Sequence, residues 1–254
     1  MANSNDLISI IMPAYNAEKT LETAVRSVLA QTWENYELII IDDCSKDGTW
    51  ELAKNFARQD HRVRVLHNET NSGASLTRHV GIKEAQGPWL AFLDSDDAWA
   101  PDKLTKQMSL QRKKSADLVF TGSAFMDHEG QAKEWSLHVP ETISYRKLLK
   151  QILISNSSVM VRKELYLTHE HMGENIHEDF VCWLRMLRSG HLACGIDEPL
   201  LIYRLSPHSK SGNKLKAAVM NWNAYRAAGL KIPEAAYYMV FYAVNSLRKY
   251  KNLK

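Results

Sequence analysis

The sequence predicts an α/β fold built on a mostly parallel sheet. Short apolar runs alternate with amphipathic stretches of helical period, the mark of successive βαβ units. Each of the first strands ends in a polar or acidic loop, at Pro13–Asn16, Asp42–Ser45 and Asp94–Asp97. Right-handed crossovers put such loops on one edge of a sheet, where ligands of open α/β folds bind.

Leu7–Met12 is the first apolar run, stopped by Pro13. Leu21, Ala24, Val25, Val28 and Leu29 then recur at helical spacing. Glu37–Ile41 is the second strand, followed by Asp42-Asp43 and a turn of cap residues, Ser45 to Thr49. Trp50, Ala53, Phe56 and Ala57 mark a second helix, and Val63–Leu66 a third strand. After the polar loop Asn68–Gly73, Ala74–Ala85 is helical until Gly87-Pro88 breaks it. Trp89–Leu93 is the fourth strand, and a helix runs from Pro101 to about Lys114. Asp117–Thr121 is a further strand. From Gly122 to Glu141 the pattern weakens, with a hairpin turn at Asp127–Gly130. Ser157–Val161 is expected as a strand. Glu178-Asp179 opens a helix with Phe180, Trp183, Leu184 and Leu187 on one face, ended by Gly190. Leu200–Tyr203 is a short last strand, and two helices, Lys214–Ala228 and Pro233–Tyr250, finish the chain.

Among 254 residues no apolar run approaches the roughly 20 residues of a membrane span. The N-terminus lacks the basic flank and apolar core of a signal peptide. Cys44, Cys182 and Cys194 are odd in number and not in metal-ligand spacing, which points to a reducing compartment. A cytoplasmic location is expected. The net charge of +3 is uneven: residues 201–254 hold ten Lys or Arg against Glu234, and the rest hold 22 bases against 28 acids. A basic tail on an acidic body suits an anionic neighbour, such as the inner face of a membrane, or else is a solvated helical face.

Several residue groups carry candidate chemistry. Asp94, Asp96 and Asp97 repel one another unless a cation or donors compensate them, so a divalent metal is their natural partner; a helix cap is the structural alternative. A carboxylate of Asp42-Asp43 is suited to accept a hydrogen bond from an imide N–H, or to cap a helix. Tyr15 is suited to stack on a base or simply to pack. A carboxylate of Glu178-Asp179, beside His177, is placed as a general base, although a helix start favours acidic residues in any case. Arg204, His208, Lys210 and Lys214 flank a polar loop that would close over a diphosphate or stay solvated. No GxGxxG or GxxxxGK[ST] loop is present, so a nucleotide must be held by another device.

Four segments together are similar to family-2 inverting glycosyltransferases with the GT-A fold. They are Ile8–Asn16 with Gln31-Thr32-Trp33 and Glu37–Thr49; Asn71–Ser75 with Arg78; Asp94-Ser95-Asp96, like the DXD metal motif; and Glu178-Asp179, like the ED base motif. The resemblance covers residues 7–205, in order and spacing. It implies a Rossmann-like GT-A catalytic domain at 1–205, with a nucleotide-sugar half to about residue 100 and an acceptor half from 101, then a basic loop and helices at 206–254. It further implies that Asp43 binds uracil, with Pro13 and Tyr15 lining the base pocket and Arg78 on the nucleotide side. Asp96 would ligate Mn²⁺ or Mg²⁺ bridging the diphosphate of a UDP-sugar, Asp94 would lie near ribose or metal, and Asp179 would be the base. No role is assigned to Asp97. The tail resembles those of bacterial enzymes that elongate lipid-linked surface polysaccharides. The QxxRW motif and membrane helices of processive synthases are absent, which favours single addition.

The expectation is therefore an inverting transfer of a hexose or N-acetylhexosamine from a UDP-sugar to a hydroxyl of a lipid-linked glycan, giving a β-linkage, with no nucleic-acid partner. Two competitors were weighed. A nucleotidyltransferase making a nucleotide-sugar would want a Gly-rich, basic loop after the first strand, where this chain has Pro13-Ala14-Tyr15-Asn16. A catalytically silent nucleotide-binding module would not need Asp96 and Asp179.

Overall fold

A computed structural model of the chain describes residues 6–171, 173, 176–205 and 214–252, with side chains for those other than 214 and 246–252. The first half alternates as expected: β1 (Ile8–Ala14), α1 (Leu21–Leu29), β2 (Tyr36–Asp42), α2 (Thr49–Gln59), β3 (Val63–His67), α3 (Gly73–Glu84) and β4 (Trp89–Phe92). Then come β5 (Ala98–Trp99), α4 (Lys103–Lys114), β6 (Leu118–Met126), β7 (Ala132–Leu137), α5 (Tyr145–Lys150), β8 (Met160–Arg162) and α6 (Lys163–His169). The chain ends in α7 (Glu178–Arg188), β9 (Ala193–Arg204), α8 (Lys214–Ala227) and α9 (Ile232–Asn252).

Among the described residues one sheet carries all nine strands in the order β3-β2-β1-β4-β8-β6-β9-β5, with β7 paired to β6. The β3-β2-β1-β4 portion is parallel, as is β6 with β9, whereas β8 runs antiparallel between β4 and β6. β1 and β2 are buried along their whole length, which suits near-continuous apolar runs with helices on both faces. Register sets Asp42 opposite both Ala14 and His67, so the loops after β1 and β2 leave the sheet at one level. The loop after β4 joins them, where Leu93 N donates to Ile11 O at 3.1 Å. The three strand-end loops thus converge as the topology required.

α3 lies unusually close to this sheet. A Cβ on Gly81 would sit 2.5 Å from Ile41 Cδ1, so only glycine lets the helix, and Arg78 with it, approach the strand ends. α7 is fixed by burial. Phe180, Val181, Cys182, Trp183, Leu184 and Met186 are each at most 2% exposed, and Trp183 meets Phe92 and Tyr166 edge-on or tilted. At about 1.5–3 kcal/mol per large apolar side chain, this packing contributes on the order of 10 kcal/mol before entropy. The residues at the start of α7 are therefore held on a rigid support.

The structure departs from the sequence expectations in the second half. The strand expected at Leu200–Tyr203 is the end of twelve-residue β9, whose exposed Asp197-Glu198-Pro199 stretch interrupts the apolar pattern. β6 continues past Gly122 to Met126 before the Asp127–Gly130 turn. Half of the strand expected at Ser157–Val161 is a 3-10 turn, Asn156–Ser158, ahead of β8. The short elements β5, α5 and α6 carry too few residues for a periodic signal. α8 and α9 pack on the α/β body: Tyr225 Oη donates to Leu149 O at 2.7 Å, and Ala224, Ala228, Leu230 and Ala235 enter the core. Arg185 and Arg188 of α7 donate to Ala227 O and Ala228 O, satisfying carbonyls at the end of α8. No helix among the described residues is long and apolar enough to cross a membrane.

Candidate active site

Beyond the strand ends lies a cavity of about 810 Å³, lined by residues from every predicted motif: Pro13 and Tyr15, Asp43, Arg78, Asp94 and Asp96, Asp179 and Arg204. His208 and Lys210 lie outside the described residues, and Lys214 opens α8.

The loops after β1 and β2 are tied together. Asn16 N donates to Ser45 Oγ, and Lys46 N donates to Asn16 Oδ1 at 2.8 Å. Asn16 and Cys44 both take positive φ, 48° and 61°, a conformation that costs free energy and needs such cross-bracing. The brace leaves Tyr15 half exposed at the cavity wall. Asp43 is only 2% exposed and receives Asn68 Nδ2 and Ser72 N on Oδ1 and Gly73 N on Oδ2, all within 2.9 Å. Burial would raise its pKa, but these donors outweigh it and hold the carboxyl below its ordinary value. The capping role weighed for Asp43 is thus real, though it serves the start of α3 and not α2. Neighbouring Asp42 is fully buried and faces His67 instead.

Asp94, Asp96 and Asp97 follow β4, and none of them caps α4, whose N-cap is Asp102. Ser157 Oγ accepts from Asp94 N at 3.2 Å, pinning the start of the loop. Asp97 is buried, and its Oδ1 accepts from Arg204 N at 2.9 Å. Arg204 Nε in turn donates to Asp96 O at 2.9 Å, and its Nη1 to His128 O at 3.2 Å. Arg204 therefore braces the acidic loop in this arrangement. Burial, then the charge of Asp94, pushes Asp96 up to about 6. Burial, then Asp94 and Asp96, pushes Asp97 well up.

That repulsion bears on a metal. Asp94 and Asp96 are partly exposed to the cavity, and Asp96 has no ion pair among the described residues. Two neighbouring carboxylates next to open space, one of them held up by the charge of the other, fit a hard divalent cation whose other ligands come from substrate phosphate. No cluster of three or more His, Cys, Asp or Glu side chains suited to a metal occurs among the described residues. Protein donors alone would leave such an ion under-coordinated.

Arg78 joins the two acidic motifs. Its Nη2 donates to Asp94 Oδ1 and its Nη1 to Glu178 Oε1, both at 2.7 Å. Burial would lower its pKa, but Asp94 and Glu178 outweigh that and hold it charged. Glu178 is thereby ion-paired, while Asp179 has no ion pair among the described residues. Burial, then the charge of Glu178, raises the Asp179 pKa. A carboxylate with raised basicity, on a rigid helix start at a cavity wall, has the properties of a general base. Sequence reasoning missed the Arg78 bridge, whose arms span 16 and 100 residues. It also missed Ser123 and Asn156, which line the same cavity from a strand segment and a turn without periodic pattern.

Comparisons with known proteins bear on the family and the fold. The Glycosyl transferase family 2 model matches residues 9–167. TuaG of Bacillus subtilis (strain 168), whose name ties it to teichuronic acid biosynthesis as a glycosyltransferase, is 38% identical over 98% of this chain and 99% of its own length. The UDP-Glc:α-D-GlcNAc-diphosphoundecaprenol β-1,3-glucosyltransferase WfgD of Escherichia coli is 34% identical over 98% of both chains. Among solved structures, S. aureus TarS 1–349 in complex with UDP-GlcNAc superposes with a TM-score of 0.70 at 18% identity, covering 91% of this chain and 70% of that one. At that identity the likeness shows the fold, which is GT-A-like.

Proposed function

The chain belongs to glycosyl transferase family 2, and we propose that it transfers a hexose or N-acetylhexosamine from a UDP-sugar to a hydroxyl of a lipid-linked glycan, with inversion to a β-linkage. The observation that carries this is the convergence of Asp43, Asp94, Asp96 and Asp179 on one cavity, with Arg78 linking the donor side to the base helix. WfgD, alike along nearly its whole length, favours glucose as the sugar and a diphosphate-linked lipid bearing GlcNAc as the acceptor.

The residues divide the work. Asp43, held ionised by its donors, accepts the uracil imide N–H, and Tyr15 stacks on the ring above Pro13. Asp94 and Asp96 would hold Mn²⁺ or Mg²⁺, which when bound would offset negative charge building on the leaving UDP. Asp179 takes the proton of the acceptor hydroxyl as its oxygen attacks the anomeric carbon from the face opposite UDP. Arg78 pairs with Glu178 and Asp94 and so ties the base helix to the donor side of the cavity. Attachment to the inner membrane surface would bring a lipid-linked acceptor within reach. The outer face of the C-terminal helices supports it, since Leu215, Val219, Ile232, Tyr237, Val240 and Val244 remain exposed after α8 and α9 pack.

A donor screen tests the reading. Purified protein is incubated with UDP-glucose, UDP-galactose, UDP-GlcNAc, UDP-GalNAc and UDP-glucuronate, each with a short-chain diphosphate-linked lipid GlcNAc acceptor and Mn²⁺ or EDTA. Metal-dependent UDP release with UDP-glucose and a β-linked product is expected. Binding of UDP without turnover of any donor would return the chain to the silent binding module.

A further inference from the structure

Two buried polar side chains in the cavity take no part in the chemistry above. Asn156, 8% exposed, has no hydrogen-bond partner at either Oδ1 or Nδ2, and Ser123, 2% exposed, has none at Oγ. Both line the cavity. A buried amide or hydroxyl without a partner is costly, and folded proteins seldom keep one unless a ligand or water completes it. Nothing in the packing requires these polar groups, because no protein atom hydrogen-bonds them.

Their placement says which part of a substrate they meet. The 3-10 turn Asn156–Ser158 is pinned to the diphosphate side: Ser157 Oγ takes Asp94 N, and Ser157 O takes Trp99 Nε1 at 2.7 Å. Asn156 is thus one residue from the anchor of the acidic loop. Ser123 approaches from β6 beside a register shift at Gly122, where a Cβ would sit 2.8 Å from Glu198 O and 2.9 Å from Leu137 O. Such an irregularity re-aims the side chains next to it. The group bonded directly to a diphosphate that lies beside Asp94 and Asp96 is the donor sugar. A carboxamide offers both a donor and an acceptor, matching two adjacent hydroxyls, and a serine hydroxyl matches a third.

We propose that Asn156 and Ser123 form the subsite that reads the hydroxyls of the transferred sugar, and so set which UDP-sugar is used. This rests on the UDP-sugar reading of the cavity. It makes no claim on uracil, metal or base.

The test compares full-length wild type, Asn156→Ala and Ser123→Ala by calorimetric titration with Mn²⁺, using UDP and each of the five UDP-sugars, with thermal melts and donor kcat/KM alongside. Loss of hydrogen bonds to a buried sugar should lower affinity and kcat/KM for the preferred UDP-sugar by about 10- to 100-fold. UDP affinity should stay within about twofold, and the melting temperature should not fall, since neither side chain bonds to protein. Discrimination between UDP-glucose and UDP-galactose, which differ at one hydroxyl, should shrink in Asn156→Ala. Variants that match wild type for every UDP-sugar would overturn the subsite alone. A parallel loss of UDP affinity, or an effect confined to acceptor KM, would also overturn it. A wild type that binds UDP but none of the UDP-sugars would overturn the donor reading and this one together.

Discussion

Replacing Arg78 with Met probes the bridge between the two acidic motifs. The Arg78 side chain is 11% exposed and forms two 2.7 Å charge-assisted hydrogen bonds. Its arms are unequal. The Glu178 side chain is also 11% exposed, so removing the guanidinium strands a buried carboxylate, a loss of about 3–5 kcal/mol. The Asp94 side chain is 35% exposed and keeps water, so that arm is worth about 0–1 kcal/mol. The Glu178 term decides the outcome. At about 2–4 °C per kcal/mol for a chain of this size, Arg78→Met should melt roughly 6–20 °C below wild type. Thermal melts followed by circular dichroism, on both single variants and on Arg78→Met with Glu178→Met, form a double-mutant cycle. The double variant should recover most of the loss, because replacing a buried ion pair by apolar side chains of similar size is close to neutral. An Arg78→Met protein within about 2 °C of wild type, or a double variant with the two losses simply added, would refute the bridge.

Asp179→Asn should lose about 10²- to 10⁴-fold in turnover with UDP affinity unchanged; wild-type turnover would remove the base assignment. Because burial and Glu178 raise the Asp179 pKa above 3.8, and a base must be ionised, activity should fall as pH drops through that raised value. The acid limb of kcat/KM should therefore lie above the ordinary carboxylate range, and a limb at or below about pH 4 would contradict this. Asp96→Asn should abolish the gain in UDP affinity that Mn²⁺ gives over EDTA, measured by calorimetry; equal gains in both proteins would take Asp96 out of the metal site. Replacing exposed Tyr237, Val240 and Val244 together with Ser should cut flotation with vesicles containing an anionic phospholipid by about tenfold. Equal flotation would sink the membrane reading. These substitutions leave the inward residues Ala235, Tyr238 and Met239 in place, which truncation at Pro233 would not.

Much of the fold was legible because the first half obeys a local rule. The runs at β1, β2 and β4 are apolar on both faces, and the helices between them repeat at 3.6 residues, so neighbours along the chain reveal the layer each segment occupies. The candidate base and the acidic loop were legible for the same reason, since each sits where a periodic element stops. Legibility ended where pairing partners are distant. β9 was cut short in the sequence reading because its exposed Asp197–Pro199 stretch looks like a loop until β6 is placed beside it. Ser157 and Ser158 read as a strand start, and only their position against β4 and β6 makes them, with Asn156, a turn at the cavity.

The sequence by itself determined the α/β class, the strand-end edge that carries the site, and the residue types able to bind a nucleotide, hold a cation and take a proton. The tertiary structure alone decided how those charges are shared. Arg78 ion-pairs Glu178, and burial with the Glu178 charge leaves Asp179 as the raised carboxylate; Asp43 is held ionised by the start of α3; Arg204 braces the acidic loop through the Asp96 carbonyl and the Asp97 carboxylate. The physical reason is range: periodicity is set by neighbours within a few residues, whereas burial and ion pairing depend on groups brought together from up to 100 residues apart.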